Sequence, residues 1–340
     1  MTLPEQLESV EVLEDWLSRP VPAAIEALAE SRGDVIVLGA GGKIGPTLTR
    51  MIKRAAPERR VIAVSRFSDD SLPEQLRGHG IEVIVGDLLD EGFVATLPDC
   101  PNVIYLAGMK FGASEDLPLT WAMNTYLPTI VCKRFRESRI VALSSGNVYG
   151  LSSVHDYGSH ESDTLQPVGE YANSCLGRER MFEYFSKLHD IPTAIIRLNY
   201  ANELRYGVLL DLAKQVLAGD AIDISMGYVN VIWQGDANAM IVAAMTQVTC
   251  PPKPINVAGM GRLKIIDLCQ EIAAIAGVEP CFRGREACDA LLSDARGAWM
   301  DFGEPTIDLS TLLRWVVLWV QSGGPTLGKP TKFENRHGSF

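Results

Sequence analysis

Asp34-Val-Ile-Val-Leu-Gly-Ala-Gly-Gly-Lys-Ile-Gly45 decides the fold. Four consecutive apolar residues, three of them β-branched, suit a strand buried on both faces. Glycines follow at once, and a helix is expected from about Lys43 to Ala55. Gly39, Gly42 and Gly45 stand three residues apart, with Lys43 and Ile44 between the last two. In a strand–turn–helix context the first glycine allows a tight turn. The second lets a pyrophosphate approach the backbone, and the third lets helix and strand touch. The new helix then offers free N–H groups and a positive dipole end to an anion.

Five more short apolar runs follow, at Arg60–Val64, Ile81–Val85, Asn102–Leu106, Arg139–Leu143 and Pro192–Ile196. Helical stretches separate them. Buried strands alternating with helices mean a parallel sheet covered on both faces. The expected class is therefore α/β, a Rossmann doubly wound parallel sheet with a smaller C-terminal α/β substrate region. Residues 1–32 read as a helical extension, whose role as lid, oligomer contact or sheet-edge packing stays open. Residues 33–198 read as the dinucleotide-binding domain, with 229–248 returning to it. Residues 199–322 read as mainly substrate-binding. Residues 323–340, rich in Gly, Pro and Lys, read as a polar surface tail.

The second strand ends Val64-Ser65-Arg66. A carboxylate at that point would bind a ribose 2′-hydroxyl. A hydroxyl and a guanidinium suit a 2′-phosphate, so NADP is expected ahead of NAD. Strand ends at the carboxyl edge line the pocket in such sheets, so Asn199, Tyr200 and Arg205 after the sixth strand are expected to meet substrate.

Composition narrows the partners. Of 340 residues, 47% are hydrophobic and the formal charge is −11, which fits a sizeable core and argues against a nucleic-acid surface. The seven cysteines and five histidines show no CxxC, HxH or HxxxH pair, so no metal site is expected and a reducing, cytoplasmic setting is. The sequence shows neither a signal peptide nor a run of ~20 apolar residues, so no membrane partner is expected.

Further segments resemble the extended short-chain dehydrogenases/reductases, which include NAD(P)-dependent sugar epimerases and dehydratases. Gly86-Asp-Leu88 resembles the turn that contacts adenine, which implicates Asp87 and Leu88. Tyr105-Leu-Ala-Gly-Met-Lys110 resembles the fourth-strand segment of UDP-galactose 4-epimerases. That implies that Leu106, Ala107, Gly108 and Lys110 lie along the cofactor. Asn124 resembles the family's helix asparagine. Leu143-Ser-Ser-Gly-Asn-Val-Tyr-Gly150 resembles SSxxVYG, placing Ser145 at the catalytic serine and Asn147 toward substrate. Tyr171 falls where the catalytic tyrosine begins YxxxK. Val229–Asp236, Ile255–Gly259 and Ser293–Arg296 resemble later family segments. The resemblance implies hydride chemistry on a sugar-like hydroxyl, and a homodimer paired through Trp121–Arg136 and Leu176–His189.

One departure matters. Tyr171-Ala-Asn-Ser-Cys175 has cysteine in place of the lysine. That lysine would lower the tyrosine pKa and hold the nicotinamide ribose. Lys110, reaching in from the fourth strand, and Arg178, one helical turn beyond Cys175, are the residues able to restore the charge. The alternative function is a non-catalytic NAD(P)-binding sensor or scaffold.

Overall fold

The computed structural model describes residues 3–110 and 112–338. Met1 and Thr2 of the N-terminal extension, and Ser339 and Phe340 of the tail, lie outside the described residues. A seven-stranded sheet forms the centre. Its strands are β1 (Val35–Leu38), β2 (Val61–Ser65), β3 (Glu82–Val85), β4 (Asn102–Tyr105), β5 (Arg139–Ser145), β6 (Thr193–Leu198) and β7 (Lys253–Val257). The spatial order is β7-β6-β5-β4-β1-β2-β3, with every pairing parallel. The chain reverses its winding between β1 and β4, and the glycine loop leaves the sheet there.

Six of these strands are the expected ones. β7 was not read as a strand from sequence. Its Lys253-Pro254-Ile-Asn-Val257 run contains a proline, which cannot donate to a ladder. β7 lies at the sheet edge, where proline is tolerated.

Nine helices position the site: α1 (Val10–Leu17), α2 (Pro22–Glu30), α3 (Gly45–Ala55), α4 (Leu127–Arg134), α5 (Gly169–His189), α6 (Val208–Ala218), α7 (Gln234–Ala243), α8 (Ile265–Ala276) and α9 (Leu309–Gln321). One face of the sheet is sealed by side chains of α2, α3 and α7, among them Leu28, Met51 and Ile241. The other is sealed by α4 and α5 through Leu127, Val131, Phe182 and Phe185. A separate core joins α6, α8 and α9, with Trp315 fully buried at its centre.

The N-terminal extension packs inward. Leu13 and Leu17 of α1 enter the α6–α8–α9 core. Glu14 pairs with Arg50 of α3 at 2.8 Å and with Arg205 at 3.1 Å. The tail runs largely along the surface, as read, but is anchored at two points. Phe333 is 3% exposed and Thr331 4% exposed. No helix among the described residues is long and apolar enough to cross a membrane.

Candidate active site

The glycine loop explains itself sterically. Gly39 has φ +88°, and a Cβ there would lie 2.6 Å from the Ala107 backbone N. A Cβ on Gly45 would lie 2.4 Å from the Ala40 carbonyl. Both positions demand glycine. A Cβ on Gly42 would approach only the Gly39 carbonyl, at 3.4 Å, so its open side faces a groove. α3 then begins with Pro46 in its first turn, which leaves the adjoining N–H groups directed outward.

That groove holds two adjoining cavities. One, of about 450 Å³, runs along Gly39, Gly42, Lys43, Ile44 and Gly45 to Lys110 and Arg205. The other, of about 390 Å³, collects Ser65, Arg66, Asp87, Leu88, Leu106, Ala107, Gly108 and Lys110. Arg66 and Asp87 face each other at 3.6 Å, and both are largely exposed. The cradle fits a dinucleotide, because its two walls and the open glycine lie along one edge of the sheet.

A third cavity, of about 160 Å³, continues from the loop over the ends of β5 and β6. Lys43, Lys110, Ser145, Asn147, Tyr171, Asn199 and Tyr200 line it. Residues as far apart in sequence as Lys43 and Tyr200 thus meet at one point. Ser145 donates to Asn147 Oδ1 at 2.9 Å and accepts from the Asn147 N–H at 3.2 Å. The Tyr171 hydroxyl is hydrogen-bonded to both Ser145 and Cys175. Burial pushes its pKa well above 10, while the Arg178 charge and the Ser145 hydrogen bond pull it down.

Arg178 takes a defined place. It is 6% exposed, donates to the Leu143 carbonyl at 2.9 Å, and hydrogen-bonds Asn124 Oδ1. Burial opposes its charge, but its surroundings as a whole raise its pKa, the Glu179 carboxylate being the partner among them that is charged at neutral pH. Cys175 is fully buried, and burial pushes its thiol up. Cys175 is therefore a neutral filler, with the fixed Arg178 cation one turn away. Lys110 is lowered to about 8 by burial, and Lys43 to about 7 by burial with Lys110 and Arg205 adding repulsion.

Two expected residues sit elsewhere. Asn124 lines none of these three cavities. It clamps the β4 loop, accepting from the Met109 N–H at 2.8 Å and donating to the Met109 carbonyl at 3.0 Å. Arg205 lies beside the glycine loop, away from Tyr171. Glu203 at 3.2 Å and Glu14 at 3.1 Å pin it there. Asn199 reaches the third cavity but spends its amide on Asn230 Oδ1, at 3.0 Å.

Sequence reasoning missed two features. Lys43, read as a cofactor contact, lines the glycine-loop cavity and also the cavity of Ser145 and Tyr171. Its side chain turns toward β6, donating to the Ala201 carbonyl at 2.8 Å, with its ammonium 4.0 Å from the Tyr206 ring centroid. The second is a buried network under β5. Arg197 and Glu179 pair at 2.8 Å; Ser144 donates to Glu179 at 2.6 Å and Arg197 to the Tyr149 hydroxyl at 2.7 Å. Register alone signals it, since Ser144 and Asn256 are the strand neighbours of Arg197. Among the described residues, no group of three His, Cys, Asp or Glu is placed to hold a metal ion.

The family model for the NAD dependent epimerase/dehydratase family matches residues 35–224. Among solved structures, UDP-glucuronic acid 4-epimerase from Bacillus cereus, in complex with NAD, is similar at TM-score 0.71 and 18% identity, over 85% of this chain and 96% of that one. UDP-glucose 4-epimerase from Thermotoga maritima, with UDP-glucose, gives TM-score 0.71 and 16% identity, over 85% and 99%. dTDP-glucose 4,6-dehydratase from Bacillus anthracis, in complex with NAD, gives TM-score 0.72 and 14% identity, over 86% and 97%. No curated protein sequence matches the chain.

Proposed function

The chain belongs to the NAD-dependent epimerase/dehydratase family, and from that premise we propose that it transfers hydride between a nicotinamide cofactor and a carbohydrate hydroxyl carbon, as an oxidoreductase or epimerase. The observation that carries this is the meeting of Ser145 and Tyr171 in one cavity that opens from the glycine cradle.

A bound nicotinamide supplies the hydride acceptor. The chain's residues do the remaining work. Tyr171 takes the hydroxyl proton, and Ser145 hydrogen-bonds the oxygen that becomes a carbonyl. Arg178 offsets part of the burial that keeps the phenol protonated, and Lys110 adds charge from the β4 side. Asn147 orients the Ser145 hydroxyl. Net oxidation and epimerisation share this first step.

Ser65 and Arg66 at the end of β2 support NADP ahead of NAD. Exposed Trp121, Tyr126, Tyr184 and Leu188 support a homodimer paired through the helices beside Tyr171. Seven unpaired cysteines support a cytoplasmic setting.

The test is calorimetric titration with NADP, NADPH, NAD and NADH, followed by a panel of sugars, sugar acids and sugar nucleotides. Cofactor absorbance reports net oxidation, NMR reports epimers, and Tyr171→Phe serves as control. Cofactor binding with Tyr171-dependent turnover supports the reading. Cofactor binding without turnover across the panel favours a sensor, and absence of cofactor binding refutes hydride chemistry.

A further inference from the structure

The segment after α9 crosses the mouth of every cavity described above. Leu327 and Lys329 line the glycine-loop cavity, Thr331 lines the cavity of Ser145 and Tyr171, and Asn335, Arg336 and Gly338 line the space beyond it. The strap is fastened along its length. The Leu327 N–H donates to the Arg205 carbonyl at 3.0 Å. Thr331 donates to Asp211 of α6 from its N–H at 2.8 Å and from its hydroxyl at 2.6 Å. Phe333 is buried in the α6–α8–α9 core. Arg336 pairs with the Asp289 carboxylate and donates to the Asp289 carbonyl at 3.0 Å. Gly338 lies so close to α5 that a Cβ on Gly169 would come 2.4 Å from its carbonyl.

Two quantities follow. The cavity at Ser145 and Tyr171 measures about 160 Å³. That is close to a cavity of ~150 Å³ that holds one benzene ring, and well under the ~300 Å³ at which drug-sized ligand sites begin. Its continuation past Asn147, Tyr149, Tyr200 and Met226 is filled by Asn335, Arg336 and Gly338, leaving about 30 Å³. A sugar ring fits the first space. A nucleoside diphosphate attached to that ring has no room in the second.

Charge narrows the class further. Lys43 and Lys110 line this small cavity together. The Lys43 ammonium meets a carbonyl and a ring, and forms no ion pair with a described carboxylate. The nearby acids are committed elsewhere, Glu203 to Arg205 and Asp211 to the strap. An anionic group on the substrate would relieve the repulsion between the two ammoniums.

We propose that the C-terminal strap, residues 325–338, is a wall of the substrate cavity that restricts the protein to a small, nucleotide-free sugar bearing one anionic group. This rests on the carbohydrate reading above. A carboxylate and a phosphate share the required chemistry, and the probes separate them.

The experiment uses the full chain saturated with whichever nicotinamide cofactor it binds, so that failure of cofactor binding is recorded separately. Calorimetry then compares glucuronate, galacturonate, gluconate and glucose 6-phosphate with glucose, UDP, UDP-glucose and UDP-glucuronate. The same series is run on a chain ending at Ser322 and on the Thr331→Ala/Arg336→Ala double variant, which loosens the strap if truncation prevents folding. The expected result is binding of a free acidic sugar at least about 100-fold tighter than any UDP compound, with that gap shrinking at least about tenfold in a strap variant. Tighter binding of a UDP compound to the full chain overturns the proposal. So does an unchanged gap in both strap variants. Equal binding of glucose and the acids overturns the anionic assignment, and binding of no free sugar overturns the substrate class.

Discussion

Glu179→Ala tests the buried network that carries the serine-bearing strand. Glu179 is fully buried and its Arg197 partner is 4% exposed. The guanidinium meets the carboxylate three times, at 2.8, 3.1 and 3.2 Å, and Ser144 donates to the same carboxylate at 2.6 Å. Removing Glu179 leaves Arg197 with the Tyr149 hydroxyl and the Glu161 carbonyl, neither of which carries charge. A buried cation stripped of its counter-ion costs about 3–5 kcal/mol. At roughly 2 °C per kcal/mol for a chain of this size, the unfolding midpoint falls by about 6–10 °C. Replacing both partners, in Glu179→Leu/Arg197→Met, removes the orphaned charge along with its mate. That variant loses only ~1–2 kcal/mol, the worth of the Ser144 and Tyr149 hydrogen bonds. Urea denaturation and thermal scans on the three proteins measure this. A single-variant loss under ~1 kcal/mol refutes the premise that Arg197 depends on Glu179. A double variant as unstable as the single refutes the role of the orphaned charge.

Other expectations concern the site directly. Arg66→Ala should weaken NADP binding by at least about tenfold and leave NAD binding within about twofold, since only the 2′-phosphate needs the guanidinium; equal losses by calorimetry would count against NADP preference. Arg178 lies seven residues from Tyr171, about 10 Å along a helix, so at an effective dielectric of ~20 its charge is worth ~1.7 kcal/mol, or just over one pH unit, to tyrosinate. Arg178→Met should move the tyrosine limb of the pH–rate profile up by about one unit and cut activity below that limb roughly tenfold, and an unmoved limb removes Arg178 from the reaction. Lys43 sits near pKa 7 because burial and neighbouring cations disfavour its charge. An anion bound beside it favours the charged form, so binding at pH 8 should take up protons, an uptake reduced in Lys43→Met to the share that Lys110 supplies. Titrations in buffers of different ionisation enthalpy read this directly, and proton release would contradict the placement of the ammonium.

Much of the molecule was legible from residue order because its signals are local. The run from Asp34 to Gly45 combines a buried strand with glycines that only close backbone contact explains, and both glycine contacts at Gly39 and Gly45 are present. Ser145 and Tyr171 converge as their motifs imply. What sequence did not show depends on partners far away along the chain. β7 carries Pro254, which argues against a strand until an edge position makes it acceptable. The strap has a linker's composition, and its order comes from Asp211, Arg205 and Asp289, more than forty positions distant. Lys43 lies in the expected loop, but no periodicity says that its side chain turns toward Ala201 rather than toward the groove.

Arg205 holds Glu14 of the first helix with its guanidinium and Leu327 of the strap with its carbonyl. The strap follows every other wall of the cavity in the chain, so the order of synthesis matters. During translation the Rossmann sheet, the Ser145–Tyr171 pair and the α6–α8–α9 core can all form while the cavity still gapes. On the proposal above, it acquires its final bore only when residues 327–338 leave the ribosome and dock. A nascent chain stalled before that point presents a wide, unselective cleft. Gly338 itself lies against Val168 and Gly169, at the head of the tyrosine helix, so the last strap residue to dock presses on the element that carries Tyr171.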